Sequence, residues 1–333
     1  MRNWEIESLT MFLLFSIAQF HNFSITKYPL MNGVLIIDKP AGLTSHDVVN
    51  RARRILHERS IGHLGTLDPM ATGVLPLVTG TLTRLAQFYT KSEKIYEGTI
   101  RFGFATDTYD AEGEPTSLVQ QVSLRAEEVE ALAARFRGII EQTPPPFSAK
   151  KIRGVPAYKL ARQQKEVVLN PVQVEIKEFE ILAVEAECVR FRARVASGTY
   201  MRSVAHEMGR ELDCGAHLQT LRRTSVAEFN LEQAHTLEQL VAASGTPETL
   251  EDLFVHPRKL LPQLPSVTAD ETTAARIRNG RTVNLPDLSR ARQVKVFSSQ
   301  RDLIAIATRI AGTLFHPKIV LTTQPAEGLI KQK

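Results

Sequence analysis

An α+β fold is what this chain predicts, with a second and smaller β-rich unit toward its C-terminal end. Clean two-residue alternation from Tyr96 to Phe104 marks a half-buried strand, and amphipathic helices are legible at 44–56 and 126–136. After about Leu264 the texture changes to short strands at Val294–Phe297, Leu303–Ala307 and Lys318–Leu321. The 333 residues suggest about two domains, and 43% hydrophobic with 23% charged residues is the make-up of an ordinary globular chain. Lys plus Arg number 41 against 36 acids, a net +5 that fits an anionic partner without identifying one.

Residues 1–30 read as a flexible extension or an upstream-assigned start. Their apolar run, Met11 to Phe20, is broken by Ser16 and Gln19 and is too short to span a bilayer. Arg2 is outweighed by Glu5 and Glu7 and no A-x-A follows, so a signal peptide is not indicated. Trp4, the only tryptophan, lies in this stretch. Cys188 and Cys214 are the only cysteines, giving neither a disulfide framework nor a zinc pair and making a reducing, cytoplasmic setting the default.

Val34–Ile37 suits a buried strand, ended by Asp38-Lys39-Pro40-Ala41-Gly42. Thr44 or Ser45 caps a helix with Val48, Ala52, Ile55 and Leu56 on one face and Arg51, Arg53 and Arg54 elsewhere. Then comes IGHLGTLDPMATGVLP, Ile61 to Pro76, where Asp68 sits among Gly62, Gly65 and Gly73 with Pro69 behind it. Proline biases the preceding residue away from the helical region, so the acid is held on an irregular loop. Alone it is more often a turn residue than a catalytic one. A Walker loop is not supported, because Gly73-Val74-Leu75 stands where Gly-Lys-Ser/Thr is needed.

Val74–Val78 reads as a strand and Leu82–Tyr89 as a helix. In TDTYDAEG, Thr106 to Gly113, the acids lack the spacing and terminal Glu of an EF-hand, so a polar loop is expected and no metal. Ala126–Phe136 turns Val129, Leu132, Ala133 and Phe136 inward. Pro144-Pro145-Pro146 leads into the most basic stretch, Ser148 to Lys165, holding Lys150, Lys151, Arg153, Lys159, Arg162 and Lys165 without an acid. Val172–Leu182 and Val189–Val195 read as paired strands, with Arg190, Arg192 and Arg194 on one face that either meets an anion or keeps the face soluble. Ser197-Gly198-Thr199 turns into a helix bearing Tyr200, Arg202 and His206, and Asp270–Gly280 reads as another helix.

GHLGTLDPMATGVLP closely resembles the signature of the TruB family, the bacterial tRNA pseudouridine-55 synthases, which holds a nucleophilic Asp before Pro. The resemblance continues in order through IIDKPAGLTSHDVV (36–49), KIYEGTIRFGFATDTYDAEG (94–113), SGTYMRSVAHEMG (197–209) and CGAHLQTLRR (214–223), covering about residues 33–230. It implies the pseudouridine synthase fold, a mixed and largely antiparallel sheet flanked by helices, over 31–262, with a flexible basic thumb at about 146–171. A PUA-like RNA-binding domain is implied over 263–333.

The resemblance also implies roles. Asp68 is the nucleophile, Arg202 orients it, and Tyr96 stacks on the target uracil with a connection to the C5 proton. His63 fills the space of the flipped nucleotide, while Tyr200 and Leu221 line the uridine pocket. On pattern alone Tyr96 and Leu221 read as core, and His63 as a local hydrogen-bonding residue. Lys150, Lys151, Arg153, Lys159 and Arg162 are expected on the RNA backbone, and Lys39 is implied to be chiefly structural.

The expected partner is the tRNA T stem-loop, with no cofactor, metal, membrane or obligate protein partner, and a monomer as default. Asp68 can act as nucleophile at sugar or base, or remove a ribose proton, and the sequence leaves these open. Two other readings stand beside this one: a guide-RNA-dependent synthase, and a non-catalytic RNA-binding or tRNA-folding protein.

Overall fold

In the computed structural model the apolar run Val34–Ile37 is wholly buried within β1 (Gly33–Lys39). The structure describes residues 32–321 apart from 153, 164, 166 and 287–289, so the readings of residues 1–30 and of Arg153 lie outside the described residues. Thr44 caps α1 (Ser45–Leu56) through a reciprocal box with Asp47, which satisfies two otherwise orphaned donors at the helix start. Val48, Ala52 and Leu56 are buried as the spacing requires, with Ile55 only half-buried at the edge of that face.

β2 (Ile61–His63) and β3 (Thr72–Thr79) bracket the Asp68 loop. The helix predicted over Leu82–Tyr89 is instead a 3₁₀ turn, Gly80–Leu85, running into the single-turn α2 (Ala86–Tyr89). Leu82, Leu85 and Tyr89 are still buried, so the apolar pattern is satisfied by a tighter path. β4 (Lys94–Phe102) buries Tyr96, Ile100 and Phe102; Phe104 falls outside it because Gly103, at φ +105°, ends the strand. α3 (Ala126–Arg135) and β5 (Gly138–Gln142) follow. The basic stretch forms a small hairpin, β6 (Lys151–Ile152) and β7 (Val155–Pro156), and a short helix α4 (Ala157–Ala161).

β8 (Val172–Glu185) and β9 (Cys188–Val195) pair antiparallel as expected. Arg192 sits in register between Glu97 and Glu180, and Arg194 pairs with Glu93 and Glu178, so this arginine row is a charge-balanced sheet face. α5 (Met201–Glu211), β10 (Ala216–Val226) and β11 (Phe229–Asn230) complete the set that shapes the site, followed by α6 (Leu237–Ala243) and α7 (Pro247–Glu251).

These strands build one sheet in the order β1-β3-β10-β4-β9-β8-β5, with β2 on β3 and β11 on β10. Every pairing is antiparallel except β3 with β10, so the sheet is mixed and largely antiparallel. That one parallel pair depends on Gly73, at φ +100°, where a Cβ would stand 2.2 Å from the Arg223 carbonyl oxygen. Only glycine permits so close a backbone approach.

The C-terminal residues form a β-rich module: β12 (Ser266–Thr268), α8 (Glu271–Arg278), β13 (Val283–Asn284), β14 (Gln293–Phe297), β15 (Leu303–Ala311) and β16 (Leu314–Val320). Its sheet runs β12-β14-β15-β16-β13. One core of the module encloses Val267, Ile277, Val296 and Phe315. On another, Phe297, Leu303, Ile306 and Ile319 join Val34, Ile36, Leu82 and Leu85 in a shared cluster. At about 1.5–3 kcal/mol per buried apolar side chain, that seam is a core and not a loose contact. Among the described residues no helix is long and apolar enough to cross a membrane.

Candidate active site

The loop between β2 and β3 is tied down almost atom by atom. Asp68 to Ala71 closes a turn, the Ala71 amide donating to the Asp68 carbonyl at 3.1 Å, with Pro69 at the second position that its fixed φ favours. Ser45 brackets Leu67, its Oγ accepting from the amide at 2.8 Å and donating to the carbonyl at 3.1 Å. The Pro69 carbonyl accepts from the Gly42 amide at 2.9 Å and from Lys39 Nζ at 3.0 Å.

Lys39 is fully buried and also donates to the carbonyls of Pro40 and Leu43, so its role is to join two loops; burial lowers its pKa to about 8. From the other side, buried Arg223 donates to the carbonyls of Gly65, Thr66 and Val74. These side chains give the loop's backbone carbonyls partners from within the protein, fixing a segment that has no ladder of its own.

Above the loop stands Arg202 from the first turn of α5. Its Nη2 donates to Asp68 Oδ1 at 3.0 Å, and its Nε stands 2.9 Å from Oδ2 as an ion-pair contact without hydrogen-bond alignment. The Arg202 side chain is only 4% exposed while that of Asp68 is 32% exposed, so the acid is open to solvent and the cation is buried. The rest of the guanidinium is occupied by the Thr108 carbonyl at 3.1 Å, the Phe147 carbonyl at 2.9 Å and Asp110 Oδ2 at 3.5 Å. Burial pushes the Asp68 carboxyl above its ordinary pKa, and Arg202 pulls it back without cancelling the shift.

Tyr200 precedes α5 as its cap residue. Its backbone is clamped by buried Gln142, which accepts from the Tyr200 amide at 2.8 Å and donates to its carbonyl at 3.1 Å. Burial and then the nearby Asp68 carboxylate raise the Tyr200 phenol, so its hydroxyl stays protonated. Leu221 pairs with Gly98 and Arg223 with Tyr96 across β10 and β4, which puts Tyr96, Leu221 and Arg223 on one sheet face under the acid loop. His63 ends β2 on the way into that loop, and burial together with the Arg223 charge lowers its pKa, keeping the imidazole neutral.

The basic residues stand apart from the acid. Lys151, Lys159 and Arg162 are exposed, Lys150 is half-buried, and the Arg162 guanidinium covers the Tyr158 ring at 5.6 Å. Their segment nonetheless begins at Phe147, which touches Arg202, and the Ser148 carbonyl accepts from the Tyr158 amide at 3.1 Å. Among the described residues no group of three or more His, Cys, Asp or Glu is placed to hold a metal ion.

Known proteins share this architecture. Residues 53–201 match the TruB family pseudouridylate synthase N-terminal domain, and residues 202–261 match the tRNA pseudouridylate synthase B C-terminal domain. The tRNA pseudouridine synthase B of Solibacter usitatus is 52% identical over 294 residues, spanning 87% of this chain and 100% of that protein. The chain belongs to the TruB family.

The TruB relative of Aquifex aeolicus, also a tRNA pseudouridine synthase B, is 37% identical over 87% of this chain and 100% of its own length. Among solved structures, a Cbf5-Nop10-Gar1 complex matches with a TM-score of 0.64 at 25% identity, over 87% of this chain and 85% of the matching one. Its neighbour, the archaeal box H/ACA sRNP Nop10-Cbf5 complex, gives 0.63 at 25% identity over 89% of both.

Four residues that hold the TruB site together carry no distinguishing mark in the sequence. Arg223 and Gln142 are buried polar side chains, and nothing in a linear pattern separates them from exposed ones. Asp110 reads as part of a polar loop, yet it is 4% exposed and faces Arg202. Ser45 reads only as a helix cap, the place that Thr44 takes.

Proposed function

We propose that this chain converts uridine 55 in the tRNA T loop to pseudouridine, with Asp68 as its nucleophile. The observation that carries the reading is the Asp68–Arg202 pair, a part-exposed carboxylate held by a buried guanidinium. Identity of 52% to a full-length tRNA pseudouridine synthase B, against 25% to the Cbf5 complexes, favours tRNA over a guide-RNA substrate.

The reaction breaks the N1–C1′ bond and forms C5–C1′, with N1 gaining a proton and C5 losing one. No redox change is involved, and a positioned carboxylate is chemically sufficient to begin it. Arg202 keeps Asp68 ionised and aimed. The target base leaves the T-loop stack to reach the acid, and Tyr96 replaces the lost stacking while Tyr200 and Leu221 line its pocket and His63 fills the vacated space. Lys150, Lys151, Arg153, Lys159 and Arg162 grip phosphates as the thumb of a catalytic domain spanning 31–262, and the module at 263–333 serves as a PUA-like RNA-binding domain. The enzyme acts as a cytoplasmic monomer without metal, cofactor or obligate protein partner.

Release of tritium from C5-labelled uridine in a T-stem-loop RNA tests the assignment. Release by the parent and none by Asp68→Asn is expected. Release by both removes Asp68 from the chemistry, and RNA binding without release by either leaves a binding protein.

A further inference from the structure

We infer that the stacked pair Tyr109–His206 is a positioning device that sets the orientation of Arg202 and, through it, of Asp68; this rests on the reading of Asp68 as nucleophile. The two rings lie 3.8 Å apart between centroids and 12° from parallel. His206 follows Arg202 by four residues on α5 and therefore shares its helix face. Tyr109 lies between the two residues that hold the far side of the guanidinium, Thr108 through its carbonyl at 3.1 Å and Asp110 through Oδ2 at 3.5 Å. The stack thus closes a frame around Arg202: one side is the helix that carries it, the other is the loop that grips it.

Three further features show that the frame is built. Tyr109 adopts φ +65°, a left-handed conformation that an aromatic L-residue rarely takes and keeps only where its surroundings enforce it. Its carbonyl accepts from the Leu218 amide at 3.0 Å, and the Ala111 amide donates to the Leu218 carbonyl at 3.0 Å, so the loop is zipped to β10 on either side of the ring. Among the described residues His206 Nδ1 is buried without a hydrogen-bond partner, so the stack on Tyr109 is not backed by a bond at that nitrogen. The charges of Glu207 and Arg210 act in opposite senses on Tyr109, and that of Arg210 acts also on His206.

The decisive variant is Tyr109→Gly, since glycine takes φ +65° without strain and the change removes only the ring. Its single-turnover rate at saturating RNA falls about tenfold or more, the scale set by small misplacements of a catalytic group, while Kd for the RNA moves less than about twofold. A loosened Arg202 restrains Asp68 less, so the Asp68 pKa, followed by carboxyl ¹³C NMR, rises further. His206→Ala gives the same phenotype, the double variant is no slower than either, and Tyr109→Phe recovers most of the rate.

An unmoved Asp68 pKa overturns the proposal, as do rates within about twofold of the parent, or rate reductions that multiply in the double variant. Should Tyr109→Gly not fold, His206→Phe against His206→Ala decides: a rate restored by Phe supports the stack, and equal slowness overturns it. If the parent itself releases no tritium, the assigned reaction fails, and the NMR titration still tests the pair.

Discussion

Arg202→Lys keeps the charge at the site and removes the fork. In the parent, Nε and Nη2 hold Asp68, Nη2 also meets the Phe147 carbonyl, and Nη1 serves the Thr108 carbonyl and Asp110. A single ammonium cannot span acceptors spread over four residues. If it follows Asp68, two part-buried carbonyls go without their donor, and a stability loss of about 1–3 kcal/mol is expected after relaxation. The carboxylate, held at one point in place of two, becomes free to turn. Displacement of the order of 1 Å costs about 100-fold in rate, or roughly 2.7 kcal/mol at 1.36 kcal/mol per tenfold. Single-turnover tritium release at saturating RNA, beside filter-binding Kd, separates the two effects: the rate should fall about 100-fold and Kd less than threefold or so. Turnover within about threefold of the parent would mean that charge alone suffices, and a Kd that weakens as much as the rate falls would make Arg202 an RNA-binding group.

With Asp68 in its proposed role, protonation disables it, so turnover should fall on acidification with a midpoint above that of an exposed aspartate, because burial raises the Asp68 pKa; a pH–rate profile with its acid limb at or below the ordinary value contradicts this. Lys39→Met strands the carbonyls of Pro40 and Leu43 and leaves that of Pro69 with the Gly42 amide alone, and should cost about 2 kcal/mol or more in urea unfolding together with a loss of turnover; a silent substitution would end the case for Lys39 as the tie between the two loops. Gly73→Ala puts a methyl 2.2 Å from the Arg223 carbonyl oxygen and must part β3 from β10, so both the melting temperature and the rate should drop, whereas Gly62→Ala, whose nearest neighbour would be 3.7 Å away, serves as the mild comparison. Replacing Lys150, Lys151, Lys159 and Arg162 by Ala should weaken RNA binding and flatten its dependence on salt, the log–log slope dropping by about 0.7–0.9 for each phosphate no longer neutralised; an unchanged slope places the RNA elsewhere.

What the sequence disclosed and what it withheld divide along one physical line. Periodic burial was legible, because alternation over Tyr96–Phe102 and the 3.6-residue stripe of α1 each repeat one environment several times. The irregular loop was legible too, since Gly65 and Pro69 around Asp68 announce a special backbone shape, while the role of the acid came only from the resemblance to the TruB signature. Hidden were the single long-range contacts that make the loop rigid: Arg223 reaching Gly65 and Thr66 across the sheet, and Asp110 facing Arg202 from a loop 92 positions earlier in the chain. Each is one side chain used once, so no period betrays it, and an arginine in Thr220-Leu221-Arg222-Arg223 looks the same whether it meets water or a backbone carbonyl. The two arginines of that tetrapeptide show the difference. Arg222 pairs with Asp38 at the surface and remains 41% exposed, while Arg223, one residue on, points to the other face of β10 and is sealed beneath the acid. Strand alternation decided which of them became structural, and only the parallel register with β3, fixed by Gly73, decided what it would hold.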